Sequence, residues 1–106
     1  MKKVLVTGVT GKSGLYFYEE LRKNASLLTG YQFDFIVRNE LRSSKILNCN
    51  DLNQSFKLGS LDDETFLSKT LFDTKYETLL HVAGIFHSEM LVKISVAAGV
   101  KRLILV

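Results

Sequence analysis

The stretch that decides the fold lies near the amino terminus and reads, over residues 7–14, Thr-Gly-Val-Thr-Gly-Lys-Ser-Gly. The run Val4–Val6 precedes it, and a short continuous apolar run is typical of a strand that is buried on both faces of a parallel sheet. Gly8 allows the chain to turn sharply, Gly11 allows the backbone to approach a pyrophosphate, and Gly14 allows the next helix to pack close to the strand. The stretch therefore predicts a strand, a phosphate-binding turn and a helix whose amino terminus faces the phosphates.

Apolar and amphipathic segments alternate along the rest of the chain. After the first helix, which is predicted to end near Asn24, comes a connection over residues 25–32. Further strands are predicted over 33–37, 55–58, 78–83 and 103–106, and further helices over 40–47, 64–72 and 89–98, the last capped by Gly99. This order predicts an α/β fold, a Rossmann-type doubly wound parallel sheet of five strands in the order 3-2-1-4-5.

Length and composition limit the class of protein. The 106 residues suffice for one domain, and 46% hydrophobic residues favour a packed interior. The net charge of +3 comes from scattered basic residues, so we predict no nucleic-acid partner. The single cysteine, Cys49, excludes a disulfide framework and fits a cytoplasmic location. No apolar run approaches the roughly 18 residues that a membrane helix needs, so we predict no membrane partner.

Two other interpretations of the glycine-rich turn are less well supported. Lys12 and Ser13 after Gly11 resemble the end of a nucleoside-triphosphate loop, but that loop needs a glycine where Val6 stands. A flavodoxin-like receiver also has five strands, but it needs paired acidic residues after the first strand, where this chain has Thr7 and Gly8.

The residue at the end of the second strand indicates which dinucleotide is preferred. In such folds this position meets the adenosine ribose, and an arginine there accommodates a 2′-phosphate. The residue here is Arg38, with Arg42 one helical turn later, whereas Asp34 lies inside the strand. Lys12 adds a positive charge nearby. The sequence therefore predicts NADP as the cofactor, with NAD less favoured.

Four segments together resemble the short-chain dehydrogenase/reductase superfamily in its extended and atypical branches. They are the glycine-rich turn, residues 35–39 (Phe-Ile-Val-Arg-Asn), residues 80–84 (Leu-His-Val-Ala-Gly) and residues 97–106 (Ala-Ala-Gly-Val-Lys-Arg-Leu-Ile-Leu-Val). The short segment between His81 and Ala97 resembles most closely the atypical branch, which includes NmrA-like redox sensors and NAD(P)H-binding reductases.

The resemblance implies a set of cofactor-binding residues. Ser60 matches the family position that contacts adenine, and the small residues after the fourth strand match those that flank the cofactor. The full set is Gly8, Thr10, Gly11, Lys12, Ser13, Gly14, Arg38, Ser60, Leu61, Ala83 and Gly84.

The family's catalytic Tyr-x-x-x-Lys pair is missing, because the residues four positions after the tyrosines are glutamate, arginine, phenylalanine and leucine. We therefore predict no catalytic residue, and residues 1–106 are expected to form an incomplete NAD(P)-binding domain without its catalytic part. The parent is expected to be an NAD(P)H-dependent reductase or isomerase of unknown substrate. The alternative is a non-catalytic, dinucleotide-sensing regulatory protein of the NmrA-like kind.

The remaining predictions concern the two histidines and assembly. His81 lies within an apolar strand, so we predict a structural role for it. His87 has only His81 and Glu89 near ligand spacing, so we predict no metal site. The fifth strand is expected to form an uncovered edge of the sheet, through which the chain could associate with itself.

Overall fold

Five parallel strands form one sheet in the order β3-β2-β1-β4-β5, which confirms the predicted order. The computed structural model describes residues 1–82 and 88–105. The strands are β1 (Lys2–Thr7), β2 (Tyr31–Val37), β3 (Gln54–Leu58), β4 (Thr78–His81) and β5 (Arg102–Leu105). The helices are α1 (Lys12–Lys23), α2 (Glu40–Ile46), α3 (Glu64–Asp73) and α4 (Ser88–Ala97), with a 3-10 turn at Ala25–Leu27.

The central strand β1 is buried on both faces, as its apolar run predicts. Val4 lies opposite Phe33 of β2 and Thr78 of β4. Residues Val4 to Thr7 are all buried. Because the side chains of a strand alternate between the two faces, this run contributes to the core on both sides of the sheet.

Helices cover both faces of the sheet. On one face, Tyr18 and Leu21 of α1 pack in a cluster with Phe33 and Phe35 of β2. On the other face, α3 and α4 pack against the alternate residues of the same strands; this cluster includes Leu5, Ile36, Leu67, Leu79 and Leu91. The carboxyl ends of the strands are thereby held side by side at one edge of the sheet.

Several predicted boundaries need correction. β1 starts at Lys2 and β2 at Tyr31, since main-chain pairing extends the apolar cores into polar residues. The segment predicted as a plain connection contains a 3-10 turn. β4 ends at His81 and β5 starts at Arg102. Residue 83, the predicted end of the fourth strand, and residue 106, that of the fifth, lie outside the described residues.

The predicted cap of α4 is confirmed. Gly99 has a φ of +84°, which suits glycine, and the Val100 N–H donates to the Ser95 carbonyl at 3.0 Å. Within residues 1–82 and 88–105, every helix falls short of the length and apolar character that crossing a membrane requires.

Candidate cofactor site

The glycine-rich turn starts directly at the end of β1. Gly8 has a φ of +73°, a conformation that L side chains rarely adopt, so the sharp turn depends on glycine here. The Gly11 N–H donates to the Gly8 carbonyl at 3.2 Å and closes the turn. Val9 is fully buried below it, while Thr10 is exposed above it.

Gly14 is needed because the backbone of the turn leaves no room for a side chain. A Cβ atom at Gly14 would lie 2.0 Å from the Gly8 carbonyl oxygen and 2.6 Å from Val9 backbone atoms. We expected Gly14 to allow packing against the strand, but its close neighbour is the turn itself. A Cβ at Gly11 would lie 3.4 Å from the Gly8 oxygen, which is an ordinary contact. Among the residues that the structure describes, no close packing therefore requires glycine at this position.

Helix α1 presents an open amino terminus to the same region. Gly11 is its N-cap residue, no side chain of residues 1–82 or 88–105 caps the helix, and its first turn contains no acidic residue. The first N–H groups of a helix have no intrahelical acceptor, and they carry the positive end of the helix dipole. This end of α1 is therefore suited to binding an anion.

An open cleft of about 780 Å³ lies over the carboxyl ends of β1, β2 and β3. Three basic side chains, Lys12, Arg38 and Arg42, and one acidic side chain, Asp62, are among its lining residues. This balance favours a negatively charged ligand. The volume is within the usual range for small-molecule and cofactor sites, roughly 300–1,000 Å³.

Two charged residues, one inside β2 and one directly after it, have opposite surroundings. Arg38 is exposed and lines the cleft. Asp34 is buried inside the strand and accepts hydrogen bonds from Ser55 Oγ and Tyr76 Oη, each at 2.5 Å. The Asp34 carboxylate is thus hydrogen-bonded in the interior of the protein, as its place within the strand predicts.

Helix α2 starts directly after Arg38. Asn39 caps it, because its side-chain oxygen accepts from the Arg42 N–H at 2.9 Å. This cap fixes the first turn of α2 beside the cleft, where Arg42 and the buried Ser43 join the lining.

At the end of β3, Ser60, Leu61 and Asp62 line the cleft. The Ser60 hydroxyl donates to Asp62 Oδ1 at 2.5 Å. Asp63, and not Asp62, caps α3, because its side chain accepts from the Phe66 N–H at 3.1 Å. Asp62 faces the cleft instead.

The structure brings nine of the eleven predicted cofactor-binding residues together along this one cleft; they are Gly8, Thr10, Gly11, Lys12, Ser13, Gly14, Arg38, Ser60 and Leu61. The other two, Ala83 and Gly84, lie outside the described residues, as does His87. Sequence reasoning missed the lining residues Asn39, Ser43 and Asp62. An asparagine before a helical segment is a recognisable cap signal, but no simple pattern indicated Ser43.

His81 is fully enclosed at the end of β4. Its Nδ1 atom shares a 2.5 Å hydrogen bond with Thr7 Oγ1, and the two side chains are 1% and 0% exposed. This bond joins neighbouring strands and agrees with the structural role predicted for His81.

Comparison with known proteins rests on solved structures, because no protein-family model and no curated protein matches the chain. An NADPH-dependent quinone oxidoreductase from Escherichia coli matches at 25% identity with a TM-score of 0.71, covering 96% of this chain and 35% of the other. The chain has a Rossmann fold.

Other solved structures share this Rossmann fold. A leucoanthocyanidin reductase from Vitis vinifera matches at 23% identity with a TM-score of 0.73, covering 95% of this chain and 34% of the other. A short-chain dehydrogenase/reductase from Veillonella parvula matches at 16% identity with a TM-score of 0.71, covering 98% of this chain and 46% of the other. The resemblance found in the sequence is thus confirmed at the level of the fold, and the chain spans less than half the length of each of these proteins.

Proposed function

We propose that residues 1–106 form the NADP-binding part of an oxidoreductase of the short-chain type. The observation that carries this proposal is the position of Arg38, which lines the same cleft as the glycine-rich turn and the open end of α1. The carboxylate of β2, Asp34, is buried away from the solvent. The end of β2 therefore offers a ribose-bound 2′-phosphate the cation of Arg38, while the carboxylate of the strand itself lies in the interior.

The residues present fit the chemistry of NADP. The N–H groups at the start of α1 and the Lys12 ammonium would bind the pyrophosphate, and the absent side chain at Gly11 leaves its backbone open to that group. Arg38 would bind the 2′-phosphate, and the residues after β3, Ser60 and Leu61, would contact the adenine. When bound, the cofactor supplies hydride transfer.

Two of the similar structures support the choice of cofactor. The leucoanthocyanidin reductase and the quinone oxidoreductase are both complexes with NADPH. Because this chain has no Tyr-x-x-x-Lys pair, its residues would equally serve a regulator that senses the dinucleotide without turning it over.

The test is to titrate NADP and NAD against the wild type, Arg38→Ala and Arg22→Ala. A guanidinium on a phosphate contributes on the order of 1.5–3 kcal/mol, so Arg38→Ala should weaken NADP binding roughly tenfold to a hundredfold. NAD binding should be nearly unchanged, and added salt should reduce the difference because the site is open to water. Arg22→Ala is the matched control, because Arg22 is exposed on α1, pairs with Glu19 and is absent from the cleft lining.

Two outcomes would contradict the assignment. Equal losses for NADP and NAD in Arg38→Ala would mean that Arg38 only supports the fold. No loss for either cofactor would mean that Arg38 points into solvent, and the preference for NADP would be withdrawn.

A further inference from the structure

The hydrogen bond between Thr7 and His81 lies directly beneath the candidate site. Both side chains are buried, and they belong to residues that face each other at the ends of β1 and β4. A second bond reinforces the first, because the Val82 N–H donates to the Thr7 carbonyl at 3.1 Å. The two strands are thereby tied by side chain and main chain at the same level.

The residues that follow this pair line the cleft. Gly8 comes directly after Thr7, and Val82 comes directly after His81. Gly8 has no side chain of its own to anchor it, and its positive φ already places it in a conformation open to few residues. The position of the turn therefore depends on what holds the residues on either side of Gly8, which are Thr7 and the fully buried Val9.

We infer that Thr7 and His81 are positioning residues for the pyrophosphate of the cofactor. Their hydrogen bond fixes the end of β1, and with it the turn that aims the start of α1 at the phosphates. Arg38 directly follows β2 and would bind the 2′-phosphate without help from this pair. This inference rests on the proposed function, and it adds two residues that touch no ligand themselves.

The experiment compares two ligands across two variants of Thr7. NADP carries the pyrophosphate, whereas adenosine 2′-monophosphate carries the adenosine and the 2′-phosphate alone. Thr7→Val keeps the shape but removes the hydroxyl, and it should weaken NADP binding about threefold to tenfold, which is the range of one hydrogen bond. Adenosine 2′-monophosphate should bind as to the wild type. Thr7→Ser retains the hydroxyl and should restore NADP binding.

Variants of His81 test the same bond from its other end. The side-chain amide of His81→Asn can reach the position of Nδ1, whereas that of His81→Gln reaches the position of Nε2. Asn should therefore keep most of the NADP affinity and Gln should lose it. A thermal melt of each variant shows whether it is folded. If Thr7→Val does not fold, the His81 variants test the inference in its place.

Unchanged NADP binding in Thr7→Val would overturn the inference, and so would an equal loss of both ligands. Equal affinities of His81→Asn and His81→Gln for NADP would overturn it as well. If the wild type bound neither ligand, the proposed function would fail, which is a different result from a failure of the positioning role.

Discussion

Asp34 and Arg38 lie four residues apart in the chain, yet the side chain of Asp34 is buried in the interior and that of Arg38 lines the cleft. The alternation of side chains places Asp34 on the face covered by α3 and α4, near Tyr76. Arg38 follows the last residue of the strand and is exposed. The sequence allowed this distinction, because a residue inside an apolar strand cannot reach the edge of the sheet.

The buried Asp34 makes stability depend on pH. Burial raises the pKa of its carboxyl, but hydrogen bonds from Ser55, Tyr76 and Gln32 together lower the pKa by more than burial raises it. The pKa therefore lies below its usual value. A carboxyl whose pKa is lowered in the folded state stabilises the fold at pH values above its unfolded-state pKa of about 4. This stabilisation is lost as the pH falls through the folded-state pKa. The free energy of unfolding should therefore decrease below about pH 4.

Asp34→Asn should remove most of this acid dependence and lower the free energy of unfolding at pH 7 by about 1–3 kcal/mol, because a charged acceptor is lost from a buried cluster. Urea titrations at pH 7 and pH 3 measure both effects. Asp51→Asn, an exposed carboxylate in a turn, is the control and should change neither. An unchanged pH profile in Asp34→Asn would contradict this account.

At the scale of the elements, the existence and order of the strands were predictable, and the residues at which the strands begin and end were not. The sequence predicted the existence and order of all five strands, because apolar runs and the glycine-rich turn are local signals. It did not predict that β1 and β2 extend into polar residues, since that pairing is tertiary. Phe72 is the last residue of the helix predicted over 64–72, and it is 59% exposed, because it lies near the end of α3, where the helical pattern no longer determines burial.

Much of the candidate site was predictable for the same reason. The residues of the turn and Arg38 are adjacent to strand ends, and strand ends of a parallel sheet meet at one edge. Asn39, Ser43 and Asp62 were missed because their place in the lining depends on the path of α2 and on the bond from Ser60. Whether these residues bind a cofactor is still a prediction.

The turn and α1 form one element whose geometry depends on Gly14. Gly14→Ala would place a Cβ against the backbone of Gly8 and Val9, so we expect a loss of about 1–3 kcal/mol in the free energy of unfolding and weaker NADP binding. Gly30→Ala is the matched control, because a Cβ there meets no atom of the described residues within 4 Å, and the stability of this variant should stay within about 1 kcal/mol of the wild type. Thermal melts and cofactor titrations measure both, and equal melting temperatures for the two variants would contradict the steric argument.

At the scale of the whole sheet, β5 is an edge strand within residues 1–82 and 88–105. In the part of the chain described here, β5 pairs with β4 alone, and its Ile104 and Leu105 are 47% and 55% exposed. An unpaired edge with apolar side chains favours pairing with another chain. We propose that the chain associates with itself through β5.

Sedimentation at high concentration should therefore give a mass above the 12.0 kDa of one chain. Ile104→Lys should shift the protein towards the monomer, because a charge on an edge strand opposes pairing. Leu27→Lys changes an equally apolar, exposed residue on the 3-10 turn and should leave the mass unchanged. A wild type that stays monomeric would refute association through β5.

The strand order also has a consequence for synthesis on the ribosome. β1 is made first but occupies the middle of the sheet, and its partner β4 supplies His81, 74 residues after Thr7. A nascent chain that has emerged only as far as β3 can pair β1, β2 and β3, but one edge of β1 then stays open. Such transient edges are prone to aggregation. The most vulnerable interval for this protein is therefore the time between the emergence of β3 and the emergence of β4.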